Sequence, residues 1–287
     1  MPLTDFQRQV FRLIARYRHP DSYVAGGTPL HRRADSPRFS EDVDIFHDAQ
    51  ESVALAAETD LRVLGENGYQ IERILITPSF QRATIRKGSD ALRMEWAVDS
   101  AFRFFPVQTD EDFGYSLHLA DLATNKVLAL AGRWEARDFV DTLYLDADYA
   151  PLGLLAWAAA GKDPGLTPAL ILEQAARFNR LNQAELTAVL GSGALDLPQM
   201  KRDWLRILAA AEETIRLLPP EELGCLYLDS AGGVTDPRQT PAARPHFASV
   251  GGALPHLADS PAPLPSPQEN RAAAQARQNY ERSGSEE

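Results

Sequence analysis

Two aspartates one residue apart, Asp42 and Asp44, and a glycine pair upstream of them, Gly26-Gly27, are the residue types in this chain best suited to chemistry. Polar and apolar residues alternate through Asp42-Val43-Asp44-Ile45, the pattern of a half-buried strand. Both carboxylates therefore share one face while Val43 and Ile45 point into a core. Like charges on one strand face repel unless a cation lies between them. A hard, oxygen-seeking ion such as Mg²⁺, or Mn²⁺ in its place, suits that position and is the usual partner of phosphate chemistry. The glycines follow a short strand-like run, Tyr23-Val24-Ala25. A backbone without side chains lets a triphosphate approach closely, and a helix starting at Thr28-Pro29 would turn free N–H groups toward it. Taken singly, a Gly-Gly is more often a turn and an Asp-x-Asp more often a solvated strand edge. Their order along the chain makes the pair informative.

The elements that must position these residues are legible from periodicity. Thr4-Asp5-Phe6-Gln7 has the form of a capping box, and Phe6, Val10, Leu13, Ile14 and Tyr17 recur at helical spacing, which predicts an amphipathic helix over 4–17. A short helix from 28 to about 33 follows the glycines, and Ala34-Asp35-Ser36-Pro37 returns the chain to the aspartate strand. Residues 50–67, rich in Ala, Glu and Leu, read as a helix. Strands follow over 69–76, 80–86 and 92–98, the last two a hairpin about Lys87-Gly88-Ser89-Asp90. In the final strand Leu92, Met94, Trp96 and Val98 share one face, and Arg93, Glu95 and Asp99 the other. Residues 121–130 are a helix carrying Lys126, and Arg133 to Leu145 reads as a turn into another, with Arg137, Asp138 and Asp141 on it. An ammonium on a four-carbon stem can reach a phosphate as a point charge, and a carboxylate such as Asp138 can fix that lysine or accept a proton from an attacking hydroxyl. The alternative is a set of interhelical ion pairs.

The spacing Gly26-Gly27-x-x-Leu30, then Arg38-x-Ser40-x-Asp42-x-Asp44, resembles the AbiEii/AbiGii-type toxin nucleotidyltransferases, a branch of the DNA polymerase β-like superfamily. Many minimal members carry Gly-Ser where this chain has Gly-Gly, so a hydroxyl for phosphate would come from Thr28 or Ser40. The resemblance implies an α/β (α+β) fold with a mixed sheet flanked by helices. It also implies a third acid, Glu95 or, failing that, Asp99, with a salt bridge from Glu95 to Arg82 or Arg86 as the structural alternative. Asp42, Asp44 and Glu95 would then hold metal, Gly26, Gly27, Thr28, Arg38 and Ser40 would hold nucleotide, Lys126 would meet the triphosphate, and Asp138 would assist catalysis. The implied activity is metal-dependent transfer of a nucleotidyl group from an NTP to an acceptor hydroxyl, on tRNA or another cellular target, by the toxin of a toxin–antitoxin or phage-defence pair. A cognate antitoxin would be its partner. The competing readings are an enzyme that modifies a small molecule of the antibiotic type, and a nucleotide-binding interaction protein without catalysis.

Composition sets the remaining bounds. At 287 residues with 44% hydrophobic residues the chain can bury a sizeable core. A net charge of −11 excludes a broad nucleic-acid-binding face but leaves room for a local basic patch. The single cysteine, Cys225, cannot form an internal disulfide, the start lacks the basic and apolar regions of a secretory signal, and no apolar run is long enough to span a membrane, which together point to a cytoplasmic location. The six histidines lack metal-site spacing. The expected division is a nucleotidyltransferase core at 1–146, a helical domain at 147–229 with helices near 152–160, 167–178, 183–190 and 198–218, and a disordered tail at 230–287 rich in Pro, Gly, Ala and Ser.

Overall fold

The computed structural model describes residues 3–33, 36–191 and 196–255. Their contacts divide into two compact units, one chiefly of Met1–Ala101 and Pro106–Leu122, the other chiefly of Ala123–Thr187 with Phe102–Phe105 and the described residues beyond 195.

The first unit opens with α1 (Asp5–Ile14). Its capping box is closed: Gln7 N–H donates to Thr4 Oγ1 at 3.0 Å, and Thr4 N–H donates to Gln7 Oε1 at 3.1 Å. Strand β1 (Ser22–Ala25) leads through the glycines into the single turn α2 (Gly27–Leu30), then β2 (Asp42–His47) and α3 (Gln50–Glu66). Strands β3 (Gln70–Ile76), β4 (Phe80–Lys87) and β5 (Asp90–Val98) follow. After β6 (Phe102–Arg103), which belongs to the second unit, come β7 (Gln108–Asp110) and β8 (Gly114–Ser116) of the first. The sheet order is β3-β4-β5-β2-β1-β8-β7. It is mixed: β2 runs parallel to β5 and β1 to β8, while the other pairs are antiparallel. This is the mixed sheet with flanking helices expected from the sequence.

Alternation decides which face is core. Val43, Ile45, Ala83, Ile85, Leu92, Met94 and Trp96 are buried against Val10, Phe11 and Ile14 of α1 and Val53, Ala57, Leu61 and Leu64 of α3. Each buried aliphatic side chain contributes roughly 1.5–3 kcal/mol, which locks the register because a one-residue slip would turn this row to solvent. The opposite face carries the intervening residues, Asp42, Asp44, Arg82, Thr84, Arg93 and Glu95.

The second unit holds the later part of α4 (Leu119–Gly132), then α5 (Ala136–Asp148), α6 (Leu152–Ala159) and α7 (Pro168–Ala176), most of α8 (Gln183–Leu190), and α9 (Leu197–Leu217). Phe139 packs edge-on against Trp204 and stacks toward Phe178. Trp157, Phe178, Trp204 and Leu208 are buried, but Leu205 is exposed. A helix rotates its side chains by about 100° per residue, so with Trp204 turned inward Leu205 lies toward the solvent side of α9.

Three expectations are corrected. Residues 147–229 are not wholly helical, since β9 (Cys225–Leu228) closes that stretch, and the segment from 230 to 255 is built into the fold. Strand β10 (Arg244–Phe247) pairs antiparallel with β9, and β11 (Ser249–Val250) with β6. Phe247 and Ala243 pack on a cluster of Leu154, Trp157, Leu218, Cys225 and Tyr227. Burial pushes the Cys225 thiol pKa far up, so it is an inert core group. Average composition hid this because a four-residue strand is defined by its partner rather than by its own pattern. Residues 256–287 of the expected tail lie outside the described residues. Also, the expected break at 146 falls inside the second unit. Deleting residues from 231 onward removes β10 and uncovers Tyr227 and Cys225. A fall in Tm of about 5–10 °C is expected, measured by thermal denaturation; an unchanged Tm would mean the pairing adds nothing.

Candidate active site

The parallel pairing of β2 with β5 brings the candidate carboxylates together. Asp44 is in register with Glu95 and Asp42 with Arg93, so three carboxylates and one guanidinium share the open face of two adjacent strands. Arg93 forms an ion pair with Asp42 and lies 3.6 Å from Glu95. Arg82 Nε donates to Glu95 Oε1 at 2.8 Å, so the cross-hairpin salt bridge raised as the alternative for Glu95 is present as well. The hydrogen bond to Asp42, together with the charges of Asp42, Glu95 and Asp44, pushes the Arg93 pKa up against partial burial. Asp99 lies beyond the end of β5 and caps the N–H of Ser100 at 2.8 Å, so the register favours Glu95 over Asp99 as the acid beside the aspartates.

The glycines close the site from the β1 side, where Ala25 pairs with Asp44. Gly26 has φ +70°, and a methyl group there would overlap the Asp44 carboxylate. A Cβ on Gly27 would lie 2.8 Å from Ser40 Oγ and 2.9 Å from Arg38 Nη2. Gly26 thus needs glycine, and at both positions bare backbone lies directly against polar groups, the Asp44 carboxylate, Ser40 Oγ and the buried Arg38 guanidinium. Arg38 Nη1 also donates to Phe39 O at 3.0 Å, and Gln7 Nε2 to Ser40 O at 2.8 Å, so α1 holds the loop in place. Thr28 differs from its expected part as a phosphate hydroxyl. It is buried, and its Oγ1 donates to the Asp42 carbonyl at 2.6 Å, so it fastens the start of β2. Ser40 Oγ, half-buried, makes a longer bond of 3.2 Å to the same carbonyl.

Among the described residues no three His, Cys, Asp or Glu side chains form a ready-made metal cage. Mg²⁺ seldom asks for one. It keeps several waters and is usually held by one or two carboxylates plus substrate phosphates. The oxygen donors of Asp42, Asp44 and Glu95 on one face, beside backbone that carries no side chain, fit such an ion arriving with a triphosphate. Arg93 competes with it for Asp42. Arg93→Gln should therefore tighten Mg²⁺ binding by about two- to fivefold, the scale of one half-exposed ion pair. Titration calorimetry on the protein without nucleotide reads this directly, and weaker binding would remove Arg93 as a competitor.

Lys126 and Asp138 belong to the second unit, where the structure brings them together with Asp141. Lys126 Nζ lies 2.7 Å from Asp141 Oδ2 and 3.9 Å from Asp138 Oδ1. Arg133 grips Asp138 with both arms of its fork, at 2.6 and 2.9 Å. All but the half-exposed Arg133 are buried. The ion pairs weighed from sequence are therefore present around the candidate lysine.

The family model described as "Nucleotidyl transferase AbiEii toxin, Type IV TA system" matches residues 10–217. The chain belongs to the AbiEii toxin family. It is accordingly a nucleotidyltransferase of the toxin–antitoxin type. The solved structures similar to this AbiEii member include JHP933 from Helicobacter pylori, at 17% identity and TM-score 0.46, covering 75% of this chain and 95% of that one. They also include the nucleotidyltransferase toxin MenT4 from Mycobacterium tuberculosis, at 14% identity and TM-score 0.42, covering 72% and 91%. No curated protein matches the chain.

Two residues carry more weight than the sequence alone shows. Arg93 was placed on the face of Glu95, but its pairing with Asp42 needed the register of β5 on β2. Asp141 appeared only as one of several charges, yet it is the nearest partner of Lys126. Its signal was present: Asp138 and Asp141 are three residues apart, which puts them on one side of α5.

Proposed function

We propose that this AbiEii-family enzyme transfers a nucleotidyl group from an NTP to a hydroxyl of RNA, tRNA included, with Mg²⁺ or Mn²⁺, and that it acts in the cytoplasm as a toxin held in check by a cognate antitoxin. The observation that carries this reading is the Asp44 carboxylate standing against the side-chain-free Gly26, with Asp42 and Glu95 on the same open face. The acceptor oxygen forms a bond to the α-phosphorus as the bond to the pyrophosphate oxygen breaks. Bound at Asp42, Asp44 and Glu95, the ion would supply charge for both oxygens. Gly26 and Gly27 admit the phosphates, and Arg38 and Ser40 orient them. The acceptor hydroxyl gives up its proton to solvent.

No helix among the described residues is long and apolar enough to cross a membrane. The test is incubation with each α-labelled NTP, with and without Mg²⁺, in the presence of total RNA. Label on RNA in the presence of Mg²⁺ is expected. Label on an added aminoglycoside instead would favour the small-molecule reading, which the chain's net charge of −11 makes worth including. No metal-dependent transfer to either would overturn the proposal.

A further inference from the structure

Strand register lines up one row of side chains across the open face of the seven-stranded sheet. Leu75 of β3 pairs with Arg82 of β4, Arg82 with Glu95 of β5, and Glu95 with Asp44 of β2. Glu95 therefore stands between Arg82 and Asp44. Neighbouring strands lie about 4.8 Å apart, so the carboxylates of Glu95 and Asp44 repel across one strand spacing. A glutamate has one more rotatable bond than an aspartate. It swings away from such repulsion unless something holds it, and holding it costs rotamer freedom.

Arg82 is placed to hold it. Its strand lies on the side of β5 away from β2, and its Nε donates to Glu95 Oε1 at 2.8 Å. Its guanidinium carbon sits 5.2 Å from the centre of the Phe80 ring, two residues earlier on β4, so the arginine is itself held in place. The side chains of Arg82 and Glu95 are only 35% and 19% exposed, so this charge-assisted bond is partly sheltered from solvent. Arg93 meets Glu95 differently. It comes from the same strand, lies 3.6 Å away and already pairs with Asp42. Among the described residues both arginines meet Oε1, and no hydrogen bond falls on Oε2.

We propose, resting on the nucleotidyl-transfer reading, that Arg82 is the positioning residue of Glu95: by engaging Oε1 it keeps the carboxylate in the row beside Asp44 and leaves Oε2 for a divalent ion. The cross-hairpin salt bridge and a metal-ligand role for Glu95 are then compatible, since the bridge uses one oxygen and the ion the other. Arg82 and Arg93 act in opposite senses. Arg93 takes an aspartate that the ion would use, whereas Arg82 steadies a ligand from behind. Removing Arg82 frees Glu95 to turn away from Asp44, and the ion loses an oxygen.

The test is metal binding by the full chain without NTP. Mn²⁺ is titrated in, and the free ion is read by electron paramagnetic resonance. Arg82→Gln should weaken Mn²⁺ binding by about tenfold, the lower end for losing a hydrogen-bond partner that orients a metal ligand. The loss should vanish in a Glu95→Gln background, where Arg82→Gln should change the affinity by less than about twofold, because the two residues act as one unit. Arg82→Lys keeps the charge but not the planar fork, so it should also weaken binding, by a smaller factor, and it decides the question if Arg82→Gln does not fold. Unchanged or tighter Mn²⁺ binding in Arg82→Gln would make the arginine a bystander or a competitor and overturn the proposal. So would an equal loss in the Glu95→Gln background, or binding in Arg82→Lys that matches the parent, since charge alone would then suffice. A parent that binds no Mn²⁺ would instead fault the metal site and the nucleotidyl-transfer reading with it.

Discussion

Asp44→Asn is expected to abolish metal-dependent nucleotidyl transfer, by about a thousandfold or more, while leaving the protein without metal as stable as the parent to within about 1 kcal/mol. The substitution keeps volume and shape beside Gly26 but removes a negative charge and a ligand oxygen from the position assigned to the ion. Asp44 lies in register with Glu95 and its charge adds to a face that already holds Asp42. Removing it relieves repulsion on that face, and the Arg93–Asp42 and Arg82–Glu95 pairs remain. Urea denaturation of parent and variant, with and without Mg²⁺, separates the outcomes. The parent should gain stability from Mg²⁺ with NTP by mass action, and the variant should not. A variant clearly less stable without metal, together with a parent that Mg²⁺ does not stabilise, would make Asp44 a structural residue and remove the proposed metal site.

Asp60→Ala should produce the largest loss of stability, about 3–5 kcal/mol, the scale for removing one partner of a buried ion pair. Asp60 on α3 is fully buried, pairs with the buried Arg18, and accepts the Trp96 indole N–H at 2.8 Å. Arg18 also donates to Ser22 of β1 at 3.1 Å, so one carboxylate ties a helix to two strands of the seven-stranded sheet. Burial pushes the Asp60 pKa up, and the Arg18 charge and the Trp96 hydrogen bond pull it back down. Without the carboxylate, Arg18 is left charged and unpaired in the core. Against a total stability of about 5–15 kcal/mol this is a large fraction, and urea midpoints should show it at once. Asp60→Asn should lose less, because it still offers Trp96 an acceptor. A loss below about 1 kcal/mol in Asp60→Ala would mean that water reaches Arg18 and the pair is dispensable.

The two variants also divide the molecule by role. Trp96 is the core-side neighbour of Glu95 on β5, so the Asp60 network positions the strand whose other face carries the site. The Asp44 substitution acts on that other face.

The sequence by itself determined what is written in local period. Val43 and Ile45 alternate with Asp42 and Asp44, and that spacing alone assigns the core face and the carboxylate face of β2. The capping box at Thr4, the hairpin about Gly88 and the glycine pair were legible for the same reason: each is a pattern within a few residues. Tertiary structure decided everything that needs a partner far along the chain. Glu95 rather than Asp99 stands beside Asp44 because β5 pairs with β2 in that register, and no property of β5 alone states it. The hydroxyl of Thr28 turns to the Asp42 carbonyl because the chain folds back there. The strands β7, β8 and β10 are three or four residues each, too short to show a period, and exist because β1 and β9 offer open edges. Pairing of this kind is stabilised by hydrogen bonds and packing contributed by the partner strand, so its signal is divided between distant segments and absent from either one alone.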